Sequence, residues 1–372
     1  MRFNLKYPIN IPHLYKEDRA YAKQAIDTGW ISSAGPMVKQ FEDEFSDWVN
    51  RRFGCTMSNG SSALVAAVHS LNLPKGSEII LPSTTIVSCY NAIVQNGMKP
   101  VFADVELDTW NISADSIISK VTSNTKAIMV VDLYGNMVDT ERIKNVAEMF
   151  KLKIIEDAAE AHGAYDPKYV AGQFGDVSTF SFYSNKIITT GEGGILVTDD
   201  EEIYERASNF KNLCFEDRKS YSHSGVGYNF RMTNVQAGLG LGQLENVEKT
   251  IKERRRVAER YNSNLMQFNN ITLPTEKIDT RNVYWYYSIL IEDDKNNFDL
   301  RNKVAKHLEE NGIDYRLFFK PLHLQQFINE EEKFKNSEYI YETGINLPTY
   351  STLRNDDIDW ICSKIKEVLG GN

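Results

Sequence analysis

The feature that most constrains the fold is an alternation of short apolar runs and helical stretches between residues 78 and 157. The apolar runs predict strands at 78–82, 100–105, 127–131 and 153–157, and the helical patterns between them predict helices at 88–97, 113–121 and 140–150. The run at 127–131 is apolar at every position, which is typical of a strand covered on both faces. Strands joined by crossover helices form a largely parallel sheet, so the sequence predicts an α/β fold.

The length of the chain predicts a second, smaller unit after this sheet. A chain of 372 residues is too long for one ordinary hydrophobic core. After a long helical stretch at about 244–268, a separate α/β pattern follows, with strands at 284–291 and 315–319 and helices at 300–311 and 356–369. We therefore place a boundary near residue 245, and expect a large domain at 1–245 and a small C-terminal domain at 246–372.

Composition and charge exclude several classes of protein. The formal net charge is −9, which argues against nucleic-acid binding through bulk electrostatics. The four cysteines are far apart and show no zinc-binding spacing, so we expect free thiols, a reducing compartment and no metal site. No signal-peptide core is present, and no run approaches the ~20 apolar residues of a membrane helix. We therefore expect a cytoplasmic protein without a membrane partner.

The stretch Ser-Asn-Gly-Ser-Ser-Ala-Leu at 58–64 opens a helix that is expected to run to about Leu71. Free backbone N–H groups and the helix dipole make such a start an anion site, and the serine hydroxyls add donors. Ser and Asn also cap helices routinely. Two adjacent serines, Ser61 and Ser62, directly after Gly60 exceed what a cap requires. Both a phosphate site and a plain cap remain open from these residues alone.

Asp157 and Lys186 are the two candidates for cofactor chemistry. Asp157 ends a predicted strand, at the edge where parallel sheets bind their ligands. It could cap a following helix, or its carboxylate could pair with the protonated nitrogen of a pyridine ring. Lys186 lies in a polar turn before a glycine-rich loop, where the backbone could aim its amine at a carbonyl as a Schiff-base lysine requires. A surface lysine beside a hairpin is the alternative reading of Lys186.

Together these features match pyridoxal phosphate. The helix start at Gly60 and the hydroxyl of Ser181 would hold a phosphate, Asp157 would hold the ring nitrogen, and Lys186 would meet the aldehyde. One chain that offers a partner for each of these three groups, in this order, is hard to explain by coincidence. The cofactor expected from the residues is therefore pyridoxal 5′-phosphate.

Five segments resemble the sugar-nucleotide aminotransferases of the DegT/StrS type, namely 58–63 (SNGSSA), 155–161 (IEDAAEA), 175–182 (GDVSTFSF), 185–194 (NKIITTGEGG) and 228–234 (YNFRMTN). The resemblance continues through Pro321-Leu322-His323 and Asn346-Leu347-Pro348, so it covers nearly the whole chain. Within the family the perosamine synthases look nearest, because they carry a similar lysine segment. The resemblance implies a type I, aspartate aminotransferase-like fold and a homodimer with shared active sites.

The resemblance also implies a role for each candidate residue. Lys186 would bond to the cofactor and move the proton between cofactor and substrate carbon, Asp157 would hold the ring nitrogen, and Glu160 would lie near the ring hydroxyl. Ile86 would contact the ring where many relatives place a stacking aromatic residue. The phosphate would be held by Gly60, Ser61, Ser62, Ser181 and, from the neighbouring subunit, Asn229.

The implied reaction moves an amino group from glutamate to a nucleotide-linked 4-keto-6-deoxy sugar. The perosamine synthases imply conversion of GDP-4-keto-6-deoxymannose to GDP-perosamine, for a surface polysaccharide such as O-antigen. Ile86, and Asp132 where relatives often have histidine, leave open a dTDP- or UDP-linked keto sugar or a nucleotide-free keto sugar acid. A pyridoxal phosphate lyase or epimerase would share the cofactor site. Candidate contacts to the sugar nucleotide, each equally compatible with packing or surface pairing, are Trp30, Tyr183, Arg316 and His323.

Overall fold

The computed structural model describes residues 5–292 and 299–370. A seven-stranded sheet forms the centre of the large N-terminal part, and its strands are β1 (Phe53–Met57), β2 (Glu78–Pro82), β3 (Lys99–Ala103), β4 (Thr125–Val131), β5 (Lys153–Asp157), β6 (Val177–Ser181) and β7 (Gly194–Thr198). Their spatial order is β1-β7-β6-β5-β4-β2-β3. Only β7 runs against the others, since it pairs antiparallel with both β1 and β6. The predicted α/β fold with a largely parallel sheet is confirmed.

Helices cover both faces of this sheet, and they are α1 (Lys16–Asp27), α2 (Pro36–Trp48), α3 (Gly60–Ser70), α4 (Val87–Gln95), α5 (Ala114–Lys120), α6 (Thr140–Phe150), α7 (Glu201–Lys211) and α8 (Asn234–Glu245). Alternate residues of β4 enter two different cores. Ile128 and Val130 pack into the core with α2, while Met129 and Val131 pack into the core with α3. Burial on both faces explains why the run at 127–131 is apolar at every position.

The C-terminal part has its own four-stranded sheet, formed by β10 (Ile271–Thr272), β11 (Tyr287–Ile291), β12 (Arg316–Leu317) and β13 (Gly344–Leu347) in the order β10-β11-β13-β12. Four helices accompany it, namely α9 (Val247–Leu265), α10 (Asp299–Glu310), α11 (Lys335–Thr343) and α12 (Asn355–Leu369). Tyr7 from the N-terminus packs into the core of this part. The division of the chain at residue 245 remains a prediction, although the break between α8 and α9 falls at that point.

Two predicted strands are shorter in the structure, and one further hairpin is present. The strand expected at 284–291 begins only at Tyr287, because Tyr284 adopts a left-handed φ of 48° and turns the chain. The strand expected at 315–319 is reduced to Arg316–Leu317. The polar stretch at 212–227 contains a small hairpin of β8 (Phe215–Asp217) and β9 (Ser222–His223).

The glycines of α8 allow this helix to pack closely against its neighbours. A Cβ at Gly240 would lie 2.6 Å from the ring of Phe41 on α2. A Cβ at Gly242 would lie 2.4 Å from the backbone nitrogen of Asp18 on α1, where backbone cannot move aside. Helix α8 therefore packs directly against α1 and α2. The long helix predicted at about 244–268 is a separate element, α9, which begins at Val247.

Candidate active site

A cavity of about 740 Å³ opens at the carboxyl ends of the parallel strands. The register of the sheet creates this edge, since Val131 on β4 pairs with Asp157 on β5, which pairs with Thr179 on β6. The segment 316–320 of the C-terminal part forms the opposite wall. The predicted site residues that line the cavity are Gly60, Ser61, Ile86, Asp157, Glu160, Ser181, Tyr183, Lys186 and Arg316.

Four other predicted residues lie away from the cavity of their own chain. The Ser62 hydroxyl completes the cap of α3, where it accepts from the backbone N–H of Asn59 at 3.1 Å. His323 is buried, and its Nδ1 lies 2.6 Å from the Ser83 hydroxyl. Trp30 is 54% exposed, and Asn229 is exposed as well. Their assigned roles remain predictions.

The start of α3 is both a cap and an anion cradle. Asn59 Oδ1 accepts from the backbone N–H of Ser62 at 2.8 Å, which fixes the first turn. Gly60 lies so close to the end of β6 that a Cβ there would be 2.8 Å from the Cβ of Ser181. The hydroxyls of Ser61 and Ser181 and the N–H groups of this turn therefore share one end of the cavity. Residues 58–64 can therefore cap the helix and still offer a phosphate site.

The Lys186 side chain is buried rather than exposed, which rules out the surface-lysine reading. Only 10% of it is accessible, and its Nζ lies 3.5 Å from Glu160 Oε1. The turn that carries it is closed by the Lys186 N–H, which donates to the Tyr183 carbonyl at 2.9 Å. Burial lowers the pKa of Lys186, while the charges of Glu160 and Asp157 act in the opposite direction. A lowered pKa increases the fraction of neutral, nucleophilic amine.

Asp157 presents its carboxylate at the floor of the cavity. Its Oδ1 accepts from the backbone N–H of Ala159 at 3.1 Å, and its Oδ2 accepts from the Cys89 thiol at 3.1 Å. Burial raises the pKa of Asp157. The residues that follow form turns and not a helix, so Asp157 does not cap one.

Glu160 is the second buried carboxyl of the site. Its Oε2 accepts from the backbone N–H of Tyr134 at 2.8 Å. Tyr134 has a left-handed φ of 55°, and its hydroxyl accepts from the Phe319 N–H at 3.1 Å, so it ties Glu160 to the opposite wall. Burial raises the pKa of Glu160 to about 7. A carboxyl with such a pKa can hold or release a proton near neutral pH.

Sequence reasoning missed Cys89, Tyr134 and Trp285 as members of the site. Trp285 lines the cavity and stands over the Lys186 amine, but it is hidden in an aromatic run that looks like a strand. Both Trp285 and Tyr286 line the cavity, whereas consecutive strand residues would point to opposite faces. Asp132, in contrast, is fully buried, accepts from the Val138 N–H at 3.0 Å and does not line the cavity.

The fold and this site define a pyridoxal phosphate-dependent aminotransferase of fold type I. The model of the DegT/DnrJ/EryC1/StrS aminotransferase family matches residues 12–366, and the chain belongs to this family. A GDP-perosamine synthase of Escherichia coli is 39% identical over 98% of this chain and 99% of its own. That of Vibrio cholerae is 38% identical over 96% and 98%, respectively. PseC of Helicobacter pylori, an aminotransferase involved in the biosynthesis of pseudoaminic acid, superimposes with a TM-score of 0.93 at 24% identity, covering 98% of this chain and 100% of PseC.

The residues of the cavity fit pyridoxal phosphate. The close approach of Gly60 to Ser181 leaves a cradle at the start of α3 that any larger residue would fill. The Asp157 carboxylate and the Lys186 amine line the same cavity, so a ring nitrogen and an aldehyde each have a partner. Within the described ranges, no group of three or more His, Cys, Asp or Glu residues could hold a metal ion. No helix among residues 5–292 and 299–370 is long and apolar enough to cross a membrane.

The raised pKa of Glu160 predicts a pH dependence of stability in the cofactor-free protein. Glu160 titrates near 4.5 in the unfolded chain and near 7 in the folded one, so between these values only the unfolded state loses the proton. Stability should therefore fall as pH rises from 4.5 to 7, by up to about 3 kcal/mol. Glu160→Gln should flatten this decline, as measured by denaturant unfolding across a pH series. The control variant Glu148→Gln changes an exposed residue and should show the same pH dependence of stability as the wild type. If Glu160→Gln also kept the wild-type slope, Glu160 would not be the group with the raised pKa.

Proposed function

We propose that this enzyme transfers an amino group from glutamate to GDP-4-keto-6-deoxymannose and forms GDP-perosamine for a surface polysaccharide such as O-antigen. The observation that carries the proposal is the shared cavity of Lys186 and Asp157 in a chain 36–39% identical to three GDP-perosamine synthases. The reaction would take place in the cytoplasm. The four cysteines, all of them buried and free, support a reducing compartment.

The bound cofactor supplies an electron sink for the carbon that loses or gains a proton. Asp157 would keep the ring nitrogen protonated, because a buried carboxylate favours a cation beside it. The Lys186 amine would remove a proton from one carbon and return it to another, within reach of Glu160. Glu160 would accept a proton from the Lys186 ammonium and return it when the amine is to be protonated again.

The acceptor would lie between the cofactor site and the wall at 316–320. Tyr183 and Arg316 line this region and are our proposed contacts to the sugar nucleotide. Arg316 also donates to the carboxylate of Asp314, which orients its guanidinium. Lys320 lies on the same wall, so the cavity mouth carries two cations for a substrate with a diphosphate.

We propose a homodimer that buries the exposed residues near Trp30 and Asn229. The loop at Trp30 contacts the first residue of α8, because the Asn234 side-chain amide donates to the Trp30 carbonyl at 2.6 Å. The large apolar side chains exposed in these two regions are Trp30, Ile31, Tyr221, Val226 and Tyr228. An exposed apolar surface of this kind supports an interface. In such a dimer Asn229 would reach the phosphate of the neighbouring site, and Trp30 would contact the neighbour's sugar nucleotide.

Replacing Lys186 tests the mechanism. Lys186→Ala should abolish transamination and also the covalent lysine–cofactor adduct that borohydride traps, because no other amine occupies this position. Peptide mass spectrometry measures the adduct, and 2-oxoglutarate release from glutamate measures the half-reaction. Lys320→Ala, which removes the other lysine that lines the cavity from the opposite wall, should still form the adduct. Turnover in Lys186→Ala would overturn the assigned chemistry.

A panel of acceptors tests the substrate. We expect amination of GDP-4-keto-6-deoxymannose, with product mass showing replacement of a keto oxygen by an amino group. The dTDP- and UDP-linked 4-keto-6-deoxy sugars should react at least tenfold more slowly in kcat/KM. Preference for one of these would move the assignment to that nucleotide, and turnover of a keto sugar acid alone would exclude a nucleotide substrate. A lyase or epimerase would release no 2-oxoglutarate from glutamate.

Mixing two inactive variants tests whether the active sites are shared. If Asn229 serves the neighbouring subunit, a hybrid dimer of Lys186→Ala and Asn229→Ala has one site that is intact and one that lacks both residues. Activity should then rise on mixing, towards half of the wild-type value per hybrid dimer. If Asn229 serves its own subunit, each site of the hybrid retains one defect and mixing restores nothing. Mixing Lys186→Ala with itself is the baseline.

A further inference from the structure

The face of Trp285 lies against the amine of Lys186, although the reaction as proposed assigns this tryptophan no part. Lys186 Nζ is 3.7 Å from the centroid of the indole ring. The π-face of an indole is negative and attracts a cation at this distance. Glu160 Oε1 lies 3.5 Å from the same nitrogen. The ammonium of Lys186 thus has an aromatic face and a carboxylate as its close neighbours.

The indole is fixed in this orientation by the turn that carries the lysine. Its Nε1–H donates to the carbonyl of Asn185, the residue next to Lys186, at 2.9 Å. The ring packs on Tyr286 with 4.0 Å between centroids and lies nearly parallel to Tyr134. Trp285 is only 4% exposed. The ring and the amine therefore keep their relative position without help from a ligand.

We propose that Trp285 is a positioning residue whose face holds the Lys186 amine whenever that amine is not bonded to the cofactor. In transamination the lysine must be released while the cofactor carries the amino group, and it must then return to the same carbon. An amine held against a rigid ring stays within reach of that carbon and loses little orientational freedom. This inference rests on the lysine chemistry alone and does not depend on which acceptor the enzyme uses.

Trp285 is one of several groups that decide the charge of the amine. Glu160 and Asp157 favour the ammonium, whereas burial and the charge of Arg254 on α9 favour the neutral amine. His162 is buried nearby among phenylalanine rings, and burial lowers its pKa to about 3, so it adds no charge. The indole face stabilises the ammonium and works with the two carboxylates. Removal of the Trp285 indole ring should therefore lower the pKa of Lys186.

The test measures the titration of Lys186 directly. Full-length protein is loaded with pyridoxamine phosphate, which leaves the lysine amine unbonded, and its reaction with an amine-selective reagent is followed against pH by peptide mass spectrometry. In Trp285→Leu the pH midpoint for modification of Lys186 should fall by about one unit. The exposed Lys320 is the internal control, because its modification shows how reactive the reagent is at each pH in the same sample. Tyr286→Phe, a change in the adjacent ring that does not cover the amine, should keep the wild-type midpoint.

A series that preserves the shape of the residue separates cation binding from packing. Fluorinated tryptophans incorporated at position 285 keep the Nε1–H and the ring outline but withdraw electron density from the face. The midpoint should fall stepwise with the number of fluorine atoms, and it should do so even if Trp285→Leu fails to fold. A constant midpoint across the series would overturn the proposal. That outcome would leave the lysine adduct and the acceptor panel intact, so the two proposals fail separately.

Discussion

The site depends on burying one amine together with two carboxylates at a sheet edge. Desolvation alone would neutralise Lys186, Asp157 and Glu160, and it raises the pKa of both acids and lowers that of the amine. The attraction between the amine and each acid opposes these shifts, whereas the two acids repel each other. Burial brings the pKa of Glu160 to about 7, so this carboxyl can exchange a proton near neutral pH, as a reaction that moves a proton between two carbons requires. The parallel register of β4, β5 and β6 brings the two acids to this edge.

The fold and the centre of the site were predictable because their signals are local. The strands predicted at 78–82, 100–105, 127–131 and 153–157 each appear as one short apolar run, and a polar residue at the end of such a run marks the ligand-binding edge of the sheet. Asp157 and Ser181 lie at strand ends, Gly60 lies at a helix start, and Lys186 lies in the turn that follows β6. Once the strands are in the correct order, the sheet brings these four residues together. Their residue types and their spacing in the sequence are therefore enough to predict most of the centre of the site.

The side chains whose surroundings could not be predicted are those whose hydrogen-bond partners lie far away in the sequence or are set by the local backbone. Ser62 and Ser61 look equivalent in the sequence, yet the cap of α3 consumes the Ser62 hydroxyl. His323 looks like a substrate contact, but it bonds to Ser83, a residue 240 positions earlier in the chain. Trp285 looks like a strand residue because nothing in its neighbourhood reveals the left-handed Tyr284. Residue type indicates what chemistry is possible, whereas only the tertiary contacts show which polar atoms remain available.

The same distinction explains why the cofactor is easier to infer than the acceptor. The residues proposed to hold the cofactor lie on strand ends, a helix start and tight turns, where a change of backbone would disturb two packed cores. The acceptor would meet a wall from the C-terminal sheet and, across the proposed interface, the loops at Trp30 and Asn229. These segments carry exposed side chains such as Trp30, Asn229 and Arg316, which could change without disturbing either core. A fold shared with PseC at 24% identity is therefore compatible with a different sugar in each enzyme. We expect specificity to reside in those exposed side chains, because the residues at the buried edge of the sheet are the ones proposed for the cofactor and for proton transfer, which every acceptor would share.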